Sequence, residues 1–192
     1  MDQRLSEFLG ARRGKYRLIT HAGVVTAQEQ AAASHTSGWS WAKVVIVKER
    51  DGFVMAVLPA CCVLDLNRLK GLIGHGEIRL ATAEEIGGVV PDCAPGAIPP
   101  FGALYGLRVF VDSALINRPE ITMPAGDLAT AIRMRSAEFR RLGDFKEGDF
   151  VVAEAMMSPM RESGRRRASI PRWRQRQGGA RVERVTGRRG AR

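Results

Sequence analysis

Apolar and polar positions divide this chain into short elements of two kinds. Near its start, Leu5, Phe8 and Leu9 fall at helical spacing, which predicts a short helix over Asp2–Leu9. Tyr16–Thr20 is a short β-prone run. Thr26-Ala-Gln-Glu29 is a capping box, a Thr hydroxyl followed three residues later by a Glu, and it opens an Ala-rich helix to about Ser34. The strongest strand signals come next. Ala42–Lys48 and Phe53–Leu58 are apolar, β-branched runs, and Asp51-Gly52 between them is a hairpin-turn signature. Asp65 can cap a helix carrying Leu66, Leu69, Leu72 and Ile73 that stops at Gly74. Glu77–Ala81 reads as a strand. Thr82-Ala-Glu-Glu85 is a second capping box, over a helix of barely one turn.

Gly87–Gly106 is a long Gly/Pro-rich segment, and a loop of that length inside a compact domain is usually functional. Arg108–Asp112, Glu120–Met123 and Thr130–Met134 read as strands, the last two joined across Pro124-Ala-Gly126. Ser136–Leu142 reads as a final helix. Strands and helices alternate without a regular βαβ rhythm, so the expected class is α+β with a mixed or antiparallel sheet. The expected domain is 1–145. Residues 146–160 read as a linker or C-terminal extension, because the apolar residues of Asp149–Met160 have no clear period. Residues 161–192 hold almost no apolar residues to offset ordering entropy, so a disordered tail is expected there.

Composition adds one sharp contrast. Of 192 residues 45% are hydrophobic, enough for one globular domain with a sizeable core. The formal net charge is +10, yet 161–192 contain twelve Arg and two Glu, leaving 18 basic and 18 acidic residues in 1–160. The body is balanced, so attraction to a polyanion is expected to reside mostly in the tail. There, Arg165-Arg166-Arg167 and Arg172-Trp173-Arg174 suit RNA phosphates, with Trp173 able to stack on a base. A solvated extension without a dedicated partner accounts for the tail equally well.

Other classes drop out. The longest charge-free stretch, Cys93–Leu107, is broken by Pro95, Pro99 and Pro100, so no membrane span is expected. The N-terminal stretch has no apolar signal region. Cys61, Cys62 and Cys93 form no Cys-x-x-Cys pair, and His21, His35 and His75 lack metal-ligand spacing. The consistent expectation is a reduced, cytoplasmic, metal-free protein with no cofactor.

There is no Gly-x-Ser-x-Gly elbow and no Walker loop. Two features remain. Lys43 stands at the start of the most apolar strand, where an ammonium can hold a phosphate or polarise a carbonyl. It can equally be an edge lysine that reaches to solvent. Gly96-Ala-Ile-Pro-Pro100-Phe-Gly combines permissive and stiff backbone, and can present N–H groups to a carbonyl or ribose oxygen. It can equally be a rigid connector.

Seven pieces in order carry a family resemblance: Thr26–Glu29, Ala42-Lys43, Leu64-Asp-Leu66, Leu80–Glu85, Gly96–Gly102, Val111-Asp112-Ser113 and Ala125-Gly126. Over about Tyr16–Leu142 the chain resembles the YbaK/ProX-type aminoacyl-tRNA deacylases, relatives of the editing insertion domain of bacterial prolyl-tRNA synthetase. The resemblance implies a YbaK-like curved sheet or partial barrel. It implies hydrolysis of the ester of a mischarged tRNA, most of all tRNA for proline carrying Ala or Cys. Aminoacyl-tRNA is then the substrate and an aminoacyl-tRNA synthetase a candidate partner. The family lysine maps onto Lys43. Gly96, Ala97, Ile98, Pro100, Asp112 and Gly126 become the expected substrate-binding residues. The ester is labile, so no thiolate is needed and the cysteines are expected to be buried small residues. One departure stands out: relatives often carry a His shortly after the glycine matching Gly126, where this chain has Asp127 and Leu128. That departure, with the tail, leaves a tRNA-binding module without turnover as the alternative.

Overall fold

The computed structural model describes residues 1–74 and 76–153. His75 and the Arg-rich stretch with Arg165, Arg166, Arg167, Arg172, Trp173 and Arg174 lie outside the described residues, as does the expectation of a disordered tail. No helix among the described residues is long and apolar enough to cross a membrane.

The hairpin read from Asp51-Gly52 organises the molecule. β2 (Ala42–Glu49) pairs antiparallel with β3 (Gly52–Pro59), in a register that sets Lys43 opposite Leu58. β5 (Arg79–Leu80) extends this sheet on the β2 side. On the β3 side, β6 (Arg108–Asp112) and β9 (Lys146–Gly148) add in parallel. A second sheet, antiparallel, orders β1 (Arg17–Thr20), β8 (Thr130–Arg135) and β7 (Glu120–Pro124). β4 (Cys62–Leu64) and β10 (Val151–Ala153) form a short third pair. The class is α+β, as expected, with sheets that do not close into a barrel.

The apolar runs of β2 and β3 are near-continuous because both faces of their sheet are covered, as in buried sheets generally. On one face Ala42, Ile46, Met55, Val57, Val109 and Val111 pack with Ile121, Met123, Ile132 and Met134 of the second sheet. On the other, Val47, Val54, Ala56, Leu58 and Phe110 pack with Leu69 and Phe150. Leu69 belongs to α3 (Leu66–Ile73), whose N-cap Asp65 accepts from the N–H groups of Asn67 and Arg68.

Residues 146–153, read from sequence as linker or extension, join the sheets through β9 and β10, and Phe150 is fully buried. Their pairing is with β6 and β4, remote in sequence, so local periodicity carried no sign of it. α4 (Ala83–Val89) runs two turns rather than one. α5 (Ser113–Ile116), absent from the sequence reading, is a single turn directly after β6.

Candidate functional site

Three segments converge on a cleft of about 230 Å³. The start of α2 (Ala27–Ala33) supplies Val25, Thr26 and Ala27. The first residues of β2 supply Ala42, Lys43 and Val44, and the Gly/Pro loop supplies Gly96 and Ile98. Lys43 is half-buried, and its Nζ donates to the Cys62 carbonyl oxygen at 2.6 Å. That bond ties the ammonium to the start of β4.

The walls of the cleft are held together by a residue that the sequence reading missed. Gln30, 1% exposed, directs its side-chain N–H groups at the carbonyl oxygens of Val24 and Val25, each at 3.1 Å, and of Gly96 at 3.3 Å. The loop must approach closely for this. Gly96 has φ +82°, and a Cβ there would lie under 3.0 Å from the Val25 carbonyl oxygen, so only glycine fits without movement. Gln30 is a middle residue of an Ala-rich helix, and no local signal marks its partner 66 positions away.

Beyond Gly96 the loop is fixed from behind. Ala97 is fully buried, its N–H donates to Ala94 O at 2.9 Å, and its carbonyl accepts from Gly126 N–H at 3.0 Å. Gly126 has φ +96° and abuts Asp2, the N-cap of α1 (Gln3–Ala11). Pro100 is buried, and Phe101 behind it meets Phe8 and Phe139 at ring-centroid distances of 5.1 and 5.4 Å. Of the residues expected to bind substrate, Gly96 and Ile98 therefore line the cleft, while Ala97, Pro100 and Gly126 form its frame. Gly96 and Ile98 both line the cleft, and among the described residues the N–H of neither donates to a protein acceptor.

Asp112 is placed elsewhere. It is 1% exposed and does not line the cleft. One carboxylate oxygen accepts from Ala114 N–H at 2.8 Å, capping α5, and the other accepts from Phe150 N–H at 2.7 Å. Burial raises its pKa and these bonds oppose that rise. The residue ties β6 and α5 to Phe150, just before β10, and lies outside the lining of the cleft. Asp127 is also used locally: it accepts from Ala129 N–H at 2.9 Å and from the N-terminal ammonium at 2.7 Å. His21 is joined to that turn through its backbone N–H, which donates to Ala129 O at 2.9 Å, while its ring Nδ1 lies 2.8 Å from Ala22 O. His21 is buried, and its ring packs edge-on against Trp41 at 5.8 Å.

Local charges fit this layout. Thr26 caps α2 reciprocally with Glu29, and its hydroxyl and N–H hold that carboxyl below the usual range. Burial first, then the Cys61 neighbour, pushes the Cys62 thiol up to about 12. Burial also raises Cys93, against the opposing bond from Tyr105. Both shifts act against thiolate formation, which is the opposite of what an activated cysteine nucleophile requires. Among the described residues no group of His, Cys, Asp or Glu could hold a metal ion.

The model of the aminoacyl-tRNA editing domain matches residues 21–142. The chain belongs to that family. The span of this editing domain that matches contains every residue of the cleft and omits α1, β1, β9 and β10. Among solved structures, one described as hypothetical protein APE2540 has a TM-score of 0.71 at 23% identity, covering 78% of this chain and 100% of that one. A second, described as a candidate trans-editing enzyme for prolyl tRNA synthetase, has a TM-score of 0.68 at 23% identity, covering 80% and 99%. At these identities the likeness establishes the fold. No curated protein matches the sequence significantly.

Proposed function

We propose that this editing domain is a trans-editing aminoacyl-tRNA deacylase that hydrolyses the ester of a mischarged tRNA, with tRNA for proline carrying a small amino acid such as Ala or Cys as its substrate. The carrying observation is that Lys43, Gly96 and Ile98 line one small cleft, the N–H groups of the last two donating to no protein acceptor among the described residues. At about 230 Å³ the cleft is smaller than a typical pocket for a drug-sized ligand. It suits an aminoacyl group, with the tRNA end held outside. The proline assignment is supported by the description of the structural neighbour and by the motif resemblance.

In this reading the ester carbonyl lies against Gly96 and Ile98. A water oxygen, positioned directly or through the free ribose hydroxyl, adds to the carbonyl carbon. The developing oxyanion is stabilised by the two N–H groups and by the Lys43 ammonium. The ester C–O bond then breaks, the ribose oxygen takes the proton, and free amino acid and deacylated tRNA leave. Gln30 keeps both cleft walls in register while this happens. An aminoacyl-tRNA synthetase is the partner class implied, because it makes the mischarged substrate.

The test is amino acid release from a panel of mischarged tRNAs, with wild type and Lys43→Ala. Wild type should release a small amino acid from tRNA for proline. Losing one electrostatic group typically costs about 2–4 kcal/mol of transition-state stabilisation, so Lys43→Ala should lose roughly 30- to 1000-fold. Full activity in a folded Lys43→Ala protein refutes the assigned role. Retention of tRNA with no release from any member of the panel would instead identify a binding module.

A further inference from the structure

Residues 1–160 carry balanced charge, yet the folded surface concentrates its basic groups. A groove of about 780 Å³ is lined by Lys15, Arg17, Arg133, Arg135 and Arg141. Only Glu120 and Glu138 oppose them there, so the groove nets +3. Arg17 pairs with Glu120 at 2.9 Å and Arg141 with Glu138 at 2.6 Å, while neither Lys15 nor Arg135 is in an ion pair among the described residues. The register of β1 on β8 sets Arg17 directly opposite Arg133, so the two residues stand on the same face of the sheet.

Arg133 and Glu120 also line a second cleft of about 220 Å³, so the two hollows share a wall. The second is rich in hydroxyl groups. Arg133 donates to Thr122 Oγ1 at 2.9 Å and to Thr36 Oγ1 at 2.6 Å, and Ser37 and Ser40 line the same wall. Beside it Trp39 is 38% exposed, with the Arg118 guanidinium 5.2 Å from its ring. Clustered guanidiniums, hydroxyl donors and an exposed aromatic face are what a nucleic-acid backbone with an accessible base requires.

The groove is also connected to the cleft. β1 runs from Arg17 to Thr20, a rise of roughly 10 Å. Its continuation stays hydrogen-bonded to the neighbouring chain through His21 N–H to Ala129 O and Val24 N–H to Leu128 O. It ends at Val25, a wall of the cleft. The basic groove and the candidate catalytic cleft thus sit at opposite ends of one ribbon.

We propose that the groove of Lys15, Arg17, Arg133, Arg135 and Arg141 is the docking surface for the acceptor-arm backbone of the tRNA whose ester enters the cleft. The identity of the RNA rests on the editing reading, and the existence of the surface does not. The expected attraction of the Arg-rich tail to RNA lies outside the described residues; the proposal adds to it a local patch on the body that the balanced charge of 1–160 conceals.

The experiment uses the full chain and an RNA hairpin copying the acceptor arm of tRNA for proline, with affinity measured at several salt concentrations. Lys15→Ala/Arg135→Ala removes two groove charges that the structure uses in no ion pair. Arg50→Ala/Lys70→Ala removes the same charge from exposed positions outside the groove. Each phosphate contact contributes about 0.7–0.9 to the slope of log affinity against log salt, so the groove variant should bind more weakly with a slope shallower by about 1.5. The control should keep the wild-type slope. Equal slopes for wild type and groove variant, an equal fall in both variants, or no hairpin binding by wild type would each overturn the proposal. Groove-dependent binding without release from any mischarged tRNA would sink the deacylase reading and leave the groove standing.

Discussion

Replacing Gly96 by Ala tests the construction of the cleft at its tightest point. The added Cβ has two costs. At φ +82° an L side chain is strained by about 1–2 kcal/mol. The carbon would also lie under 3.0 Å from the Val25 carbonyl oxygen, which is backbone and cannot swing aside as a flexible side chain could. Relief requires the Val25 segment to retreat by several tenths of an ångström. The Gln30 side chain is 3.1 Å from that oxygen and is buried, so retreat breaks a bond that no water replaces, at about 1–3 kcal/mol. The total, about 3 kcal/mol, corresponds to a fall in Tm of roughly 6–12 °C for a domain of this size. It should also open the cleft and lower kcat/KM for deacylation. Gly87→Ala is the control: Gly87 lies within α4 with nothing within 4 Å of its added Cβ, so the change should leave stability unaltered or improve it by about 0.5–1 kcal/mol. Thermal unfolding and deacylation kinetics on both variants suffice. Wild-type Tm and wild-type kcat/KM in Gly96→Ala would show that the loop and the start of α2 are not packed as described.

The tie role of Asp112 predicts that Asp112→Ala loses about 2–4 kcal/mol in denaturant unfolding, because Ala114 and Phe150 lose their buried acceptor, while kcat/KM of the folded fraction is kept. A stable variant with lost activity would restore Asp112 to the substrate site. Acid should destabilise the fold in a defined window. Arg79 holds Glu85, and Arg141 holds Glu138, at about 2; at Asp127 burial opposes, but bonds from the N-terminal ammonium and Ala129 prevail and hold it at about 2. These folded-state values lie below the unfolded ones, so the stabilisation is complete above about pH 4.5 and is lost as pH falls toward 2. Asp112, shifted upward, contributes in the opposite sense. Unfolding free energies measured at pH 7, 5 and 3 should be similar at the first two and lower at the third, and an unchanged value at pH 3 would contradict the assigned ion pairs.

Much of this editing domain was determined locally. The helix at the N-terminus, both capping boxes, the Asp51-Gly52 hairpin and the strand Arg108–Asp112 all form as the sequence pattern predicts. Each depends on residues within one turn or one hairpin of each other, where capping bonds and side-chain periodicity act without help from the rest of the fold. Lys43 and the Gly96 loop were legible for the same reason, as unusual residues in simple local settings. Three further matters were decided only by tertiary structure. Gln30 is an ordinary polar residue of an Ala-rich helix until folding brings Gly96 to its amide. Asp112 looks the same in sequence whether it faces a substrate or two backbone N–H groups, and only the return of Phe150 selects the second. The basic groove depends on strand register, which sets Arg17 opposite Arg133 across more than a hundred residues. Net charge sums over the chain and discards position, so a neutral body and a locally basic groove are compatible.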